Sequence, residues 1–364
     1  MSKLKVIVSG GGTGGHIFPA IAIANALKLN DDSIDILFVG AKGKMEMEKV
    51  PNAGYPIIGL PITGFQRNLS DKRNVVFPFK LLYSLIKSLF IVLKFKPDIV
   101  VGTGGYASGP LLFVASKMGI PSLIQEQNSY PGITNKLLSK ITNKICVAYL
   151  GMEKFFPKEK ILFSGNPIRQ DLQDISKLQS QAYDHFKFDN SKTTVLVVGG
   201  SLGALTINNT MEKFAKKFPS GLQMLWQTGT SFYGQAANYE SENIRVMKFI
   251  SRMDLAYSLA DVVISRAGAS TISELCLVAK PSILVPSPNV SEDHQTKNAL
   301  ALKEKDAALL VKDVDSINTL IPLLQELIEN KEKRVLLSKN IYKLAKLNSA
   351  QIIAQELINL TIKK

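Results

Sequence analysis

Apolar residues follow two alternating patterns along this chain. Short runs rich in valine, isoleucine and leucine are each followed by a longer segment with apolar residues at helical spacing. This alternation is typical of βαβ units around parallel sheets. The predicted strands are KVIVSG, DILFVG, PDIVVGTG, PSLIQE and NKICVAY in the first half, and TTVLVVGG, LQMLWQTG, NIRVMKF, DVVISRAG and PSILVPS in the second.

The strand pattern restarts near ILFSGNPIRQ, between Ser164 and Gln170. Residues 1–165, joined by a C-terminal helix over 341–364, are therefore predicted to form one Rossmann-like domain, and residues 166–340 a second. Several strands end in glycine, where the backbone can approach a ligand closely. The predicted class is α/β, with two Rossmann-like lobes whose parallel sheets face a central cleft.

Composition narrows the class of protein. The 364 residues, 46% of them hydrophobic, suffice for two cores. The chain enters a strand within a few residues, so a cleavable signal segment is not expected. Cys146 and Cys276 lie far apart in apolar runs, which predicts buried thiols rather than a disulfide or zinc site. We expect a reducing, cytosolic compartment.

The net charge of +14 is concentrated in the first half. Residues 1–165 carry 20 Lys and Arg against 10 Asp and Glu, a net +10, and residues 166–364 carry 24 against 20, a net +4. A basic half indicates a polyanionic partner: nucleic acid, an anionic membrane or a diphosphate substrate. No zinc spacing or aromatic ribonucleoprotein motif is present, so nucleic acid is not expected.

The glycine-rich segment 10–15, directly after KVIVS, formally matches the dinucleotide-binding fingerprint. Such a site also needs an acidic residue about twenty positions further on, at the end of the second strand, to hold the ribose. That strand ends in Gly40 and is followed by Ala41 and Lys42. A nicotinamide site is therefore not favoured.

A second glycine segment, 199–203, matches the nucleophile elbow of α/β-hydrolases. The only later histidine is His294, and the sequence marks no clear triad acid. Ser201 is better interpreted as a loop residue that donates to a phosphate, the alternative being a tight turn without a ligand.

The segment SRAGASTISEL is the strongest of the glycine turns that follow strands. Residues 269–274 should open a helix whose free N–H groups and positive dipole end suit a phosphate. Glu274 would then accept hydrogen bonds from a ribose diol. The alternative is that Glu274 only favours the helix dipole from the first turn.

Seven segments, taken in chain order, resemble the MurG glycosyltransferases of peptidoglycan synthesis: GGGTGGHIFPA, VGTGGYASGP, QEQNSYPGITNK, GNPIR, GGSLGA, SRAGASTISEL and SPNVSEDHQTKNA. The resemblance implies a GT-B fold and an inverting, metal-independent transferase without a cofactor. It would move GlcNAc from UDP-GlcNAc to the C4 hydroxyl of the muramyl sugar of lipid I, giving lipid II, at the cytoplasmic face of the membrane. Ala279 and residues 306–308 depart from the family pattern, away from the chemical positions.

The resemblance also assigns contacts to the sugar donor, mostly in the C-terminal lobe. They are Thr13, Gly14, Gly15, Asn128, Arg169, Ser201, Ile250, Ala269, Ser270, Thr271, Ile272, Ser273, Glu274 and Gln295. Arg169, Ser201 and the helix start at 269–271 would neutralise the UDP leaving group. Gln295 and Asn298 would contact the sugar hydroxyls and the acetamido group, since amides both donate and accept.

Transfer to a hydroxyl needs one base beside it. Only His16, among three histidines, follows a strand-end glycine loop of the acceptor lobe, so it is the predicted base. The alternative is a histidine that caps its helix or contacts a phosphate. Gly104, Gly105 and Tyr106 would line the groove for the acceptor diphosphate.

The segment FPFKLLYSLIKSLFIVLKFK, residues 77–96, predicts a membrane-contacting helix. Lysines and Ser84 form one narrow polar stripe on an otherwise apolar helix. The lysines interrupt the apolar stretch, so we expect a peripheral helix on an anionic surface rather than a spanning one. The predicted contacts are Phe79, Lys80, Leu82, Lys87 and Lys94. The alternative is a helix buried on two sides by its own lobe.

Two other functions stay open at this point. One is an enzyme like the UDP-GlcNAc 2-epimerases, which the membrane helix and acceptor segments disfavour. The other is a catalytically silent protein that binds a nucleotide sugar or a lipid, which His16 and the donor set disfavour.

Overall fold

The computed structural model describes residues 3–64, 73–168, 172, 174–200, 202–290 and 293–362, without the side chains of residues 73 and 74. The chain divides into two compact units. Unit 1 comprises residues 1–169 and 347–364, and unit 2 comprises residues 170–346. Each unit contains one parallel sheet.

Unit 1 alternates strands and helices and also includes the C-terminal helix of the chain. Its strands are β1 (Lys5–Ser9), β2 (Asp35–Ala41), β3 (Ile57–Leu60), β4 (Ile99–Gly102), β5 (Ser122–Glu126), β6 (Lys144–Val147) and β7 (Ile161–Phe163). Its helices are α1 (Gly14–Asn30), α2 (Glu46–Asn52), α3 (Arg73–Phe95), α4 (Ser108–Lys117), α5 (Ile133–Leu138) and α14 (Ser349–Ile362).

The sheet of unit 1 is covered on both faces. Its order is β3-β2-β1-β4-β5-β6-β7, so the direction of winding reverses between β1 and β4. Val6 and Val8 pack on one face with residues of α1 and α14, whereas Ile7 packs on the other with residues of α3 and α4. This alternation of buried side chains explains why β1 reads as a continuous apolar run.

Unit 2 has the same architecture. Its strands are β8 (Thr193–Val198), β9 (Leu222–Gln227), β10 (Ile244–Met247), β11 (Val262–Ser265), β12 (Ser282–Leu284) and β13 (Leu309–Leu310). Its helices are α6 (Gln179–Phe186), α7 (Leu205–Ala215), α8 (Thr230–Ala236), α9 (Met253–Leu259), α10 (Ala269–Val278), α11 (His294–Lys303), α12 (Ser316–Glu329) and α13 (Lys331–Tyr342). The sheet order is β10-β9-β8-β11-β12-β13, with the reversal between β8 and β11.

The predicted α/β class with two parallel sheets is confirmed, and all ten predicted strands are present. The described residues contain three further strands, β3, β7 and β13, each at a sheet edge. Edge strands lose burial on one side, and these are only two to four residues long and mostly half-buried. They therefore lack the long apolar run by which the central strands were found.

The two cysteines are buried thiols, as predicted. Cys146 lies in β6 of unit 1 and Cys276 in α10 of unit 2. Burial raises the pKa of both thiols to about 12, so neither is reactive at neutral pH.

Candidate functional site

In unit 1 the loops after β1 and β4 meet where the sheet reverses its winding, the usual ligand position in open α/β sheets. The Thr103 N–H donates to the Ser9 carbonyl at 2.8 Å, and the Thr103 hydroxyl donates to the His16 carbonyl at 2.7 Å. A Cβ on Gly10 would lie 2.0 Å from the Thr103 hydroxyl, and a Cβ on Gly105 would lie 2.3 Å from the Gly11 carbonyl oxygen. Glycine is therefore required for the two loops to approach this closely.

His16 lies in the first turn of α1, and its ring is held by this loop. Nδ1 lies 3.0 Å from the Gly11 carbonyl oxygen. A carbonyl oxygen only accepts, so we assign the ring proton to Nδ1, which leaves Nε2 as the basic nitrogen. The ring also packs on Gly104, where a Cβ would lie 2.9 Å from His16 Cδ2. Nδ1 thus faces a loop carbonyl rather than the helix N–H groups, which argues against the capping alternative.

A carboxylate that the sequence analysis missed supports the same loop. Glu46, the first residue of α2, is fully buried. Its Oε2 accepts the Gly12 N–H at 2.9 Å and its Oε1 accepts the Ala41 N–H at 2.8 Å. The acid that was sought at the end of β2 comes a few residues later and binds the glycine loop itself.

The other residues predicted to bind the acceptor lie on neighbouring loops of unit 1. Gly104 and Gly105 form the turn after β4, both with positive φ, and Tyr106 follows them. The Tyr106 ring is half-exposed and lies against Gly64, where a Cβ would be 2.1 Å from the ring. The predicted turn and its aromatic residue therefore lie beside His16, since Gly104 touches its ring.

The loop after β5 is organised by a second buried carboxylate, Glu126. It accepts hydrogen bonds from the Asn128 N–H at 3.0 Å, the Gly132 N–H at 3.2 Å and the Asn135 side chain at 2.9 Å. Burial raises the pKa of the Glu126 carboxyl, and these hydrogen bonds oppose the shift. Asn128, a predicted donor contact, also donates its side-chain amide to Glu126 at 3.2 Å.

In unit 2 the reversal of winding coincides with a cavity of about 490 Å³. Glycine backbone from the loops after β8 and β11 forms part of its wall, as expected for a site that must admit a ligand closely. The lining residues are Val198, Gly199, Gly200, Gly203, Ala204, Leu205, Thr206, Arg266, Gly268, Thr271, Ser287, Asn289, Gln295 and Asp313. The volume is in the range of small-molecule sites.

An ion pair lies in the cavity wall that the sequence analysis did not single out. Arg266, within SRAG, pairs with Asp313 and also donates to the Val285 carbonyl at 3.1 Å. The Thr206 hydroxyl donates to the same Asp313 carboxylate at 2.9 Å. Arg266 and Asp313 thus place a mostly buried ion pair in the cavity wall.

The helix predicted to receive a phosphate begins as expected, since α10 starts at Ala269 directly after Gly268. Thr271 lines the cavity. The Ser270 hydroxyl is buried and has no hydrogen-bond partner within the described part of the chain. Ala269 and Ile272 are buried, and the Ser273 hydroxyl donates to the Ala269 carbonyl at 3.0 Å. Ser270 itself is not among the residues that line the cavity.

Glu274 is the sixth residue of α10 and therefore lies beyond its first turn. The alternative that it serves only the helix dipole from the first turn is wrong. Instead, the Tyr257 hydroxyl donates to Glu274 Oε2 at 3.0 Å, which fixes one carboxylate oxygen. This contact orients the carboxylate, and Glu274 is not among the residues that line the cavity.

The other residues predicted to contact the sugar donor lie in different parts of the structure. Gln295 lines the cavity and its Oε1 accepts the Ser287 N–H at 2.9 Å. The Ile250 N–H donates to Gln227 at 2.8 Å, so this N–H serves the protein itself. Asn298 is fully buried in α11 and does not line the cavity. Thr13, Gly14, Gly15 and Asn128 belong to unit 1, and Arg169 and Ser201 lie outside the described residues.

No metal site is evident among residues 3–64, 73–168, 172, 174–200, 202–290 and 293–362. Within these ranges no three His, Cys, Asp or Glu side chains are grouped so that they could hold a metal ion.

Helix α3 turns an apolar surface outward. Phe79 is 72% exposed, and Leu82, Tyr83 and Phe90 are each more than half exposed. Two members of the polar stripe point the other way: Ser84 is fully buried, and the Lys87 ammonium donates to the Gly59 carbonyl at 2.8 Å, whereas Lys94 is exposed. The alternative of a helix buried on two sides is wrong. Lys87 has a partner inside its own unit, which the predicted headgroup contact did not anticipate.

The length of helix α3 bears on whether it could span a membrane. The segment Val75–Phe95 has 21 residues and a mean hydropathy of 1.8 in its most apolar window, so by length and composition it could cross a membrane. Only 22% of that window is buried. The exposed and buried sides together describe a helix that packs one face on unit 1 and leaves the other open.

Comparisons with known proteins agree on one family. The N-terminal domain model of glycosyltransferase family 28 matches residues 6–147, and the C-terminal domain model matches residues 194–357. A UDP-N-acetylglucosamine–N-acetylmuramyl-(pentapeptide) pyrophosphoryl-undecaprenol N-acetylglucosamine transferase from Parabacteroides distasonis is 52% identical, covering 100% of both chains.

Solved structures show the same likeness. MurG from Acinetobacter baumannii superposes with a TM-score of 0.77 and 27% identity, over 98% of this chain and 99% of that one. A UDP-GlcNAc 2-epimerase from Neisseria meningitidis, solved with UDP-GlcNAc, superposes with a TM-score of 0.68 over 100% of both chains. Its identity is only 14%, so it shares the fold alone.

Proposed function

The chain belongs to the MurG family of glycosyltransferases, and from this premise we propose that it transfers GlcNAc from UDP-GlcNAc to lipid I, forming lipid II for peptidoglycan synthesis. The observation that carries the proposal is the cavity at the reversal point of unit 2, with glycine backbone, Arg266 and the start of α10 in its wall. A nucleoside diphosphate sugar needs backbone donors and positive charge of this kind.

In unit 2 the donor would be held by its diphosphate and its ribose. The buried hydroxyl of Ser270 and the N–H groups at the start of α10 would donate hydrogen bonds to the diphosphate. Arg266 would supply further donors, and Arg169 and Ser201, which lie outside the described residues, keep the role that the resemblance implies. Glu274, held by Tyr257, accepts from the ribose diol, and Gln295 contacts the sugar.

In unit 1 His16 would act as the base. As the acceptor's C4 oxygen attacks C1 of GlcNAc, Nε2 takes the hydroxyl proton. The bond between C1 and the diphosphate oxygen breaks, and UDP leaves with the electron pair. One displacement of this kind inverts the configuration at C1. Gly104, Gly105 and Tyr106, next to His16, contact the acceptor.

The primary test is UDP release from UDP-GlcNAc, measured with and without a soluble lipid I analogue. We expect release that depends on the acceptor and a disaccharide product with inverted linkage. Conversion of UDP-GlcNAc to its 2-epimer without acceptor would contradict the proposal and indicate an epimerase. Binding of UDP-GlcNAc without turnover would also contradict it and indicate a catalytically silent binding protein.

We propose further that no metal ion is needed, because fixed protein donors meet the charge of the leaving diphosphate. The proposed donors are Ser270, Arg266 and the α10 backbone. Activity should therefore survive EDTA. Loss of activity that only Mg²⁺ or Mn²⁺ restores would contradict this part.

The chain would work as a peripheral protein at the cytoplasmic face of the membrane, where its lipid-linked acceptor is anchored. The support is the outward apolar face of α3 with Phe79 and Leu82, in the unit that carries the basic excess. Lys80 and Lys94 would meet anionic headgroups, at about 1 kcal/mol per lysine. Lys87 contributes less, because it is engaged with Gly59.

Vesicle binding tests this placement. Replacing Phe79 and Leu82 with Glu should release the protein from phosphatidylglycerol vesicles and raise KM for vesicle-borne lipid I, with activity on a soluble acceptor unchanged. The matched control is Leu29→Glu, an exposed leucine of α1 that is 67% accessible. Equal vesicle binding by the double variant and the parent would place the membrane contact elsewhere.

A further inference from the structure

The carboxylate beneath the first glycine loop has no role in the function proposed above. Glu46 is 0% exposed, and both of its oxygens accept backbone N–H groups, from Gly12 and Ala41. A buried carboxylate is costly unless its oxygens are hydrogen-bonded, so this side chain is tied to its position.

Two glycines make room for it. A Cβ on Gly11 would lie 2.1 Å from Glu46 Oε1, and a Cβ on Gly40 would lie 2.5 Å from Glu46 Cγ. Any other residue at either position would collide with the carboxylate arm. The loop and the end of β2 are therefore shaped around Glu46.

The contact to Gly12 reaches His16 through a single peptide group. The Gly11 carbonyl and the Gly12 N–H belong to the same planar amide. Its N–H donates to Glu46 Oε2 at 2.9 Å, and its carbonyl oxygen lies 3.0 Å from His16 Nδ1. The carboxylate, the amide and the imidazole form one continuous chain of hydrogen bonds.

We propose that Glu46 is a positioning residue that acts on His16 through the Gly11–Gly12 peptide. By holding that amide in one orientation, Glu46 presents a carbonyl to Nδ1, which fixes the ring and keeps the proton off Nε2. Hydrogen bonds in such a chain strengthen one another, so the charge that the ring gains on taking a proton is stabilised from the carboxylate side. This inference rests on the proposed role of His16 as the base.

The arrangement also determines what the loop does not bind. The Gly12 N–H is already donated to a negative group, so it is not available to a phosphate. Within the segment that formally matches a dinucleotide fingerprint, the Gly12 N–H is therefore engaged with Glu46 and the Gly11 carbonyl with His16.

The decisive variant is Glu46→Gln. The shape is retained, but an amide has one accepting oxygen, whereas Gly12 and Ala41 both present N–H donors. We expect kcat to fall by about 10- to 100-fold, as for other partners that orient a reacting histidine. KM for UDP-GlcNAc and binding of UDP to the full chain should be unchanged.

A double-mutant cycle with His16→Ala distinguishes positioning from general damage. If Glu46 acts through His16, the substitution should have no further effect on kcat once His16 is gone. An equal loss in both backgrounds would overturn the proposal. The matched control is Asp98→Asn, because Asp98 accepts the Lys5 N–H at 2.8 Å at the opposite end of β1; its kcat should equal that of the parent.

The ring itself gives a readout that does not depend on activity. In the ¹⁵N spectrum of the unaltered protein, neutral His16 should carry its proton on Nδ1, and Glu46→Gln should yield a mixture of both tautomers. A parent ring protonated on Nε2, or an unchanged ring in the variant, would overturn the inference. Absence of transfer in the parent would instead contradict the proposed function, and the spectrum would still decide the role of Glu46.

Discussion

The two units place a glycine loop at the same point of the same kind of sheet but support it with opposite chemistry. In unit 1 the loop after β1 rests on the carboxylate of Glu46. In unit 2 the loop after β8 rests on the neutral amide of Gln227, which donates to the Gly200 carbonyl at 3.0 Å. Both supporting side chains are almost fully buried.

The difference follows from what each loop is proposed to hold. A loop that receives a diphosphate should keep its N–H groups available and should not rest on an unpaired carboxylate; Asp313, which also lines the cavity of unit 2, is paired with Arg266. Gln227 meets this need because its neutral side-chain amide donates to a loop carbonyl and adds no charge. Glu46 accepts a hydrogen bond from a loop N–H and adds a negative charge, which suits a loop that orients a base. The two glycine loops therefore rest on side chains of different charge, and the proposed roles of the loops differ in the same way.

The sharpest way to break the comparison is to remove the base. His16→Ala should lower transfer by roughly 10²- to 10⁴-fold, the usual contribution of a general base, because Nε2 no longer accepts the hydroxyl proton. UDP binding, measured by calorimetry, should be unchanged, since the cavity lies in unit 2.

His185→Ala is the matched control, because His185 lies on α6 and packs its ring against Phe186. Its activity should match the parent. Full activity in His16→Ala would remove this residue from the mechanism and leave the loop of unit 1 as a structural turn.

Sequence reasoning found the chemistry that is local in the chain. His16 and the glycine turns lie next to their strands, so the pattern that predicts the strand also places the turn. The start of α10 is marked in the same way, by a glycine after β11. Helix α3 was predicted from its apolar run, although the pattern could not reveal that Ser84 and Lys87 face the interior of unit 1.

The residues that the sequence analysis missed are defined by contacts between positions far apart in the chain. Asp313 pairs with Arg266 across 47 positions, and Glu46 reaches the loop at Gly12 across 34. Gln227 is one of two glutamines in the fully buried strand β9, and no spacing rule distinguishes it. Each becomes visible only when the sheet order brings the strand ends together.

The second prediction exchanges the chemistry of the two supports. Gln227→Glu should weaken UDP binding by about 10- to 100-fold, because the carboxylate loses its donor bond to the Gly200 carbonyl and repels the diphosphate. The effect should appear in the UDP dissociation constant and in KM for UDP-GlcNAc.

The control lies on the same strand. Gln223 is also buried in β9, four residues earlier, and its side chain bonds Asp189 rather than the glycine loop. Gln223→Glu should lower the melting temperature without a specific loss of UDP affinity. Equal losses of affinity in both variants would show that charge anywhere in β9 is harmful, and the contrast between the supports would fail.

The smallest expected effect concerns how unit 2 orients its acidic residue. In unit 1 a carboxylate acts through a peptide, whereas in unit 2 the Tyr257 hydroxyl holds Glu274 directly at 3.0 Å. Tyr257→Phe removes one hydrogen bond, worth about 1 kcal/mol, and should raise KM for UDP-GlcNAc by about three- to tenfold with kcat nearly unchanged. Tyr239→Phe removes a similar bond, to Glu212 at 3.2 Å outside the cavity, and should leave KM as in the parent. If Tyr257→Phe lowers only the melting temperature, Glu274 acts in packing, and the ribose must be held by residues of the cavity wall instead.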